Sequence, residues 1–338
     1  MARLGDSWEC EACMNIQLLE TSVRNRQQYD ITEISTLPKW STSLKSQPGS
    51  LEFKMLDDKK VFLLEGDIIE LKINGQKIFK GKVFIRERTK QGSWRIVAYD
   101  LTRYLQNEDT LVFSASTASS RFRTICQTQG LSFKLLDTST YACTAVVEDK
   151  HTYYSMIAEA LEETHKHQKV RFGFWDNYGS LEFFNLNRMI TKLIIGDQSL
   201  LTDYEYSASI DEAANIVKVM REDKESGKRE VFSAQHKGNI EKWGKLQIVE
   251  TISDAELNSS QLQAKARALL SEKNKVTKTI NLPSVIGNLA IRAGNSFTLR
   301  LADLTRDGIG NDSLALVTSC KHDFSNGHTM SLSVEVVA

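Results

Sequence analysis

Cys10 and Cys13, with two residues between them, have the spacing that brings two thiolates onto one zinc ion. A tetrahedral site needs two more ligands, and no second close Cys or His pair follows. The pair is read as part of an N-terminal tail. His165 and His167 are separated by one residue at the end of an amphipathic stretch, so a helix turns their rings apart and they cannot share one ion. Gly196 and Ser199 supply the first Gly and the Ser of a nucleophile elbow. The second Gly is missing and the surrounding pattern is strand-rich, so Ser199 reads as a turn or cap residue. Gly308-Ile309-Gly310 has two glycines at dinucleotide-loop spacing without a third, and is expected in a surface loop.

The carboxylates are many and scattered. Glu159, Glu162 and Glu163 fall on the polar face of a helical stretch, and Glu222, Asp223 and Glu225 lead into a turn, so a glycosidase pair would have to be assembled in three dimensions. Trp94 and Trp175 sit in strand patterns where packing is their ordinary role. Trp40 and Trp243, beside turns, are the tryptophans offered for a surface role. Cys126, Cys143 and Cys320 are expected as small core residues of a protein from a reducing compartment. No catalytic, cofactor-binding or metal residue is assigned, no cofactor is implied, and the chain is read as a non-enzyme.

Lys and Arg number 43, as do Asp and Glu, giving a formal net charge of zero. No overall field draws the protein to nucleic acid, so sequence-specific nucleic-acid binding is not expected. No apolar run is long enough to span a bilayer, and the first residues lack the apolar core of a signal peptide. Synthesis and folding in the cytoplasm without membrane insertion are expected.

These residues need elements to hold them, and 338 residues are too many for one ordinary core. From Ile16 to Asp100 apolar alternation recurs in short runs, which predicts a small β-barrel or sandwich. Its firmest hairpin turns at Asn74-Gly75, a dipeptide suited to the two positive φ angles of a type I′ turn. A second joins Lys82–Arg88 to Trp94–Tyr99. The period then becomes helical: Thr117 caps a helix carrying Ala118, Phe122, Ile125 and Cys126, with Gly130 beyond its end. A second helix is predicted near Asp149–Thr164, then a hairpin from Val170 to Leu186 around Asp176-Asn177-Tyr178-Gly179. Strands return at Ala214–Arg221 and Arg229–Ala234 about the turn 224–228, with another at Lys245–Thr251, and a third helix spans Ser259–Lys273. Strands at Lys275–Leu282, Ser296–Leu301, Leu314–Lys321 and Thr329–Val337 close the chain, the last two joined through Ser325-Asn326-Gly327. The fold class is mainly β with an α+β insertion. Its domains are 1–110, a β-domain; 111–195, a small α+β domain; and 196–338, a second β-domain with a helical insertion at about 252–275.

Several blocks recur in an order and spacing that resemble a known family. They are Tyr29-Asp30-Ile31-Thr32 with Trp40-Ser41-Thr42-Ser43, Phe79-Lys80-Gly81, VAYDLTRYL from Val97 to Leu105 followed by Asn107 and Asp109-Thr110, the segment from Ile195 to Thr202, Lys242-Trp243-Gly244, and His328-Thr329-Met330-Ser331-Leu332. Together they resemble the baseplate hub proteins of contractile phage tails and PBSX-like prophage particles. The resemblance runs from about Tyr29 to Val337 and excludes the Cys10/Cys13 tail. It implies two tube-like β-barrel or sandwich domains flanking the α+β domain, assembly as a homotrimer, and a place in the baseplate of a virion or tail-like particle. The partners it implies are the tail tube protein, the spike or tail-tip protein, other baseplate components of LysM or wedge type, and the tape measure protein. The competing readings are a peptidoglycan hydrolase and a glycan-binding tail protein.

Overall fold

The computed structural model describes residues 14–337 apart from 46, 59–60, 89, 91, 197–200, 223–228, 253–257, 310–311 and 326. It divides into two compact units, residues 1–205 with 281–338 and residues 206–280. The protein is mainly β, as the alternation predicts. Among the described residues no helix is long and apolar enough to cross a membrane.

The first unit begins with β1 (Ile16–Thr21), β2 (Gln28–Asp30), β3 (Lys39–Ser43), β4 (Ser50–Leu56), β5 (Ile68–Ile73), β6 (Gln76–Arg88) and β7 (Ser93–Tyr99). Hydrogen bonding orders them β3-β4-β7-β6-β5-β1-β2. Leu51, Phe53 and Met55 on β4 and Ile69, Leu71 and Ile73 on β5 alternate into one core, because successive strand residues face opposite sides. The β5–β6 turn is the predicted one: Asn74 has φ 51° and Gly75 φ 76°.

An α+β segment follows, with β8 (Glu108–Phe113), β9 (Ser116–Thr117), α1 (Ala118–Thr128), β10 (Phe133–Leu135), β11 (Ala142–Cys143), β12 (Val146–Thr152), α2 (Tyr153–Gln168), β13 (Phe172–Asp176) and β14 (Leu181–Asn185). Thr117 caps α1, its hydroxyl accepting from Ser120 N at 3.2 Å, and Phe122, Ile125 and Cys126 are fully buried. The second helix starts later than its sequence pattern predicts. Thr152 pairs with Glu108 in the β8–β12 ladder while its hydroxyl accepts from Ser155 N at 3.1 Å, so residues 149–152 belong to a strand and the helix begins at Tyr153. It ends where Lys169 takes φ 57°, a turn more often made by Gly.

β15 (Ile190–Gly196) and β16 (Leu201–Ser209) lead towards the second unit. There β17 (Ile216–Glu222) lies between β18 (Arg229–Gln235), antiparallel to it, and β19 (Gln247–Ile252), parallel to it. The turn expected at 224–228 lies outside the described residues. Between β18 and β19 runs α3 (Lys237–Trp243), a helix the sequence reading did not anticipate, and α4 (Ser259–Lys273) occupies its predicted span. An Asn258 capping box starts α4, whose Leu262 and Ala266 pack with Val217 and Val219.

The chain re-enters the first unit along β20 (Thr277–Ile286) and completes it with β21 (Ser296–Arg300), β22 (Ser313–Asp323) and β23 (Thr329–Val337). β22 pairs with β21, with β23 and with β3, setting His322 opposite Trp40 and Cys320 opposite Thr42. The N-terminal and C-terminal β-segments therefore share one continuous sheet. β15 pairs with β21 in parallel.

Candidate functional site

The structure places some of the residues set aside as weak chemical candidates. His165 accepts from Arg171 Nε at 3.4 Å while His167 stacks on Tyr141 with ring centroids 4.4 Å apart, so the two rings face different partners. Gly308, at φ 73°, closes a 3₁₀ turn over Ala302–Asp307, and Ile309 is fully buried. Cys10, Cys13, Ser199, Gly310, Asp223 and Glu225 lie outside the described residues. Cys126, Cys143 and Cys320 are free and buried. Burial pushes the Cys126 and Cys320 thiols up to about 12, which keeps them protonated and unreactive. Glu163 accepts from Thr144 N at 3.0 Å and Tyr141 Oη at 3.2 Å, so it is a structural acceptor.

Trp40 departs from its reading. It is 3% exposed, because β3 is an interior strand of the sheet and its indole points into the core. The ring stacks on His322, centroids 4.8 Å apart, and lies 5.5 Å from the guanidinium carbon of Arg292. His322 is itself fully buried. Its Nε2 donates to the Ile291 carbonyl at 2.8 Å, which leaves Nδ1 to accept from His328 Nε2, also at 2.8 Å. Burial drives the His322 pKa down to about 4, so the imidazole is neutral near pH 7.

Next to this stack, three parts of the first unit meet around a cavity of about 20 Å³, enough for one water molecule. The first part contributes Asp100, which caps the 3₁₀ turn Leu101–Gln106 by accepting from Thr102 N at 2.9 Å. Thr102 Oγ1 in turn accepts from Gly49 N at 3.0 Å. Gly49 is required here, since a Cβ would stand 1.9 Å from Asp100 Oδ2. The second part contributes Trp175 and Asp176 from the end of β13. Asp176 Oδ1 accepts from Gly179 N at 2.8 Å, and the Leu101 backbone also faces the carboxylate. The third contributes Arg292, whose Nη2 donates to the Asp176 carbonyl at 2.8 Å, and Ala293, whose N–H donates to Thr42 Oγ1 at 3.0 Å.

Burial raises Asp100 and Asp176 above the usual carboxylate range. The proximity of Asp176 adds to the rise at Asp100, while Arg292 opposes it at both. The charges of the cluster face one another and indole rings. Such an arrangement fixes the junction of three chain segments around space for about one water molecule. The Asp100 turn was visible as the VAYDLTRYL block, but Arg292 carried no sequence signal.

The sequence profile of a family described as YQBQ-like matches residues 38–335. Two proteins of Bacillus subtilis (strain 168) are similar over most of their length. The uncharacterized protein YqbQ is 27% identical over 315 residues, covering 90% of this chain and 94% of that one. The phage-like element PBSX protein XkdQ is 27% identical over 293 residues, covering 86% and 87%. Among solved structures, the 43 kDa tail protein of prophage MuSo2 from Shewanella oneidensis superposes with a TM-score of 0.63 at 12% identity, covering 94% of this chain and 98% of that one. The prophage tail protein gp18 of Listeria monocytogenes EGD-e gives 0.60 at 15% identity, with 94% of each chain covered. At such identities the likeness is one of fold.

Proposed function

We propose a structural role in a phage tail or tail-like particle for this chain, which belongs to the YQBQ-like family. It serves there as the baseplate hub. The observation that carries the reading is the end-to-end match in fold to a prophage tail protein, 94% of one chain on 98% of the other. The likeness to a protein of the PBSX phage-like element supports it.

In this reading residues 1–110 and 196–338 supply two tube-like β-domains, with 111–195 as an accessory α+β domain and about 252–275 as a helical insertion. Three chains then offer six similar domains, a ring able to meet a sixfold tail tube on one side and a threefold spike or tail tip on the other. Interfaces of the obligate class, roughly 2,000 Å² or more, are needed to hold such a ring under contraction load. The buried junction around Arg292 suits the role, because a subunit that transmits force gains from segments locked together.

Copy number in the intact tail tests the proposal. Three copies per tail at the junction of tube and tip are expected, measured by electron microscopy of the particle with quantitative mass spectrometry. Six copies, or a position along the sheath or fibres, refute it.

A further inference from the structure

β12 carries an irregularity that brings three metal-binding side chains together. Glu148 and His151 are three residues apart and would face opposite sides of a regular strand. The ladder with β8 shifts register between them, and Lys150 takes φ 56°, so the alternation is broken and both side chains emerge on one side. His151 Nδ1 and Glu148 Oε2 share a hydrogen bond at 2.6 Å, the contact a bound ion would replace. Glu159, from the second turn of α2, joins them, and one ligand atom from each residue lies within 4.8 Å of the others.

An independent observation points to a missing partner. Glu148 is 1% exposed, yet its Oε1 is buried with no hydrogen bond. A buried carboxylate oxygen in that state is costly unless a cation or donor meets it. Arg121, whose charge acts on Glu159, donates to the Thr144 carbonyl and, at 3.3 Å, to Ser116 Oγ, and makes no hydrogen bond to Glu148 Oε1. His151 and Glu159 are exposed, leaving the cluster open on one side.

We propose that Glu148, His151 and Glu159 bind a divalent transition-metal ion of the zinc type, with water completing its coordination. An imidazole nitrogen among the three ligands favours such an ion over Ca²⁺ or Mg²⁺, which prefer all-oxygen sets. Bound there, the ion ties the bulged strand to the helix that follows it.

Calorimetric titration with Zn²⁺ tests this on the full chain carrying Cys10→Ser and Cys13→Ser, which removes the thiol pair as a competing site. The same protein with His151→Gln or Glu159→Gln is titrated beside it, circular dichroism confirming that each variant is folded. One ion per chain is expected, with affinity lowered at least tenfold by either substitution. A melting temperature that rises with Zn²⁺ and responds weakly to Mg²⁺ and Ca²⁺ accompanies it. Absence of binding, an affinity that neither substitution changes, or an equal response to Mg²⁺ or Ca²⁺ overturns the proposal.

Discussion

Arg292 lies over the face of Trp175, its guanidinium carbon 4.4 Å from the indole ring centroid, and its Nη2 donates to the backbone carbonyl of the next residue, Asp176. One side chain thus binds the C-terminal part of the chain to the α+β segment through a stacked cation and a charge-assisted hydrogen bond. Its positive charge also offsets the carboxylates of Asp100 and Asp176. Replacing Arg292 by Met removes all three effects and should lower stability by roughly 3 kcal/mol, as when one partner of a buried charge cluster is lost. Lysine should recover only part, because it keeps the charge and loses the planar stack. Urea denaturation measures both, and a Met variant within about 0.5 kcal/mol of the parent, the range of an inconsequential surface change, would contradict the assignment.

A second carboxylate pair makes stability depend on pH. Glu20 is 1% exposed and its carboxyl faces that of Asp67. Burial first, then the neighbouring Asp67, pushes its pKa from an ordinary 4.5 to about 7. Below pH 4.5 the carboxyl is protonated in both folded and unfolded chains. As pH rises towards 7 the unfolded chain releases the proton while the folded one holds it, so stability falls across that window and the loss is complete above it. The penalty reaches roughly 3 kcal/mol at about 1.4 kcal/mol per pH unit. Glu20→Gln carries no charge and can donate to Asp67, so it should flatten this part of the profile and exceed the parent in stability at pH 8. Identical slopes for parent and variant between pH 5 and 8 would remove Glu20 from the account.

The β5–β6 turn offers a substitution whose cost is conformational alone. A Cβ built on Gly75 meets nothing within 4 Å. Valine at this position must still hold φ near 76°, where β-branched residues are strained, and the expected loss is on the order of 1–3 kcal/mol. Thermal melting reads it, and an unchanged midpoint would mean the turn relaxes without penalty.

What could be read from the sequence was local. Asn74-Gly75, the Thr117 cap and the Ser259–Lys273 helix each carry their signal within a few residues, and each stands where the pattern placed it. The pairing of β3 with β22 was not legible, because alternation shows which face of a strand is buried and not which strand lies beside it. Trp40 was misplaced for that reason. Arg292 and Glu148 were missed for another: a lone charged residue in a strand-rich stretch looks solvated until partners distant in sequence surround it. In α2 two local signals competed, and the β8–β12 ladder held residues 149–152 that helical periodicity had claimed.

The enzyme alternative fails or survives on carboxylate geometry. Glycosidase pairs sit roughly 5–9.5 Å apart across an open cleft that admits a sugar. Among the described residues, Asp100 and Asp176 border a cavity of about 20 Å³, far too small for a saccharide ring. Glu148 and Glu159 present oxygens within 4.8 Å of each other and of a His151 ring nitrogen, in the cluster proposed to hold an ion. The role assigned to each pair is structural, at a chain junction for the first and as ion ligands for the second. Purified protein incubated with peptidoglycan should therefore release no muropeptides above a heat-denatured control. Reproducible release that disappears in Glu159→Gln would turn this cluster into a hydrolytic site and displace the structural reading.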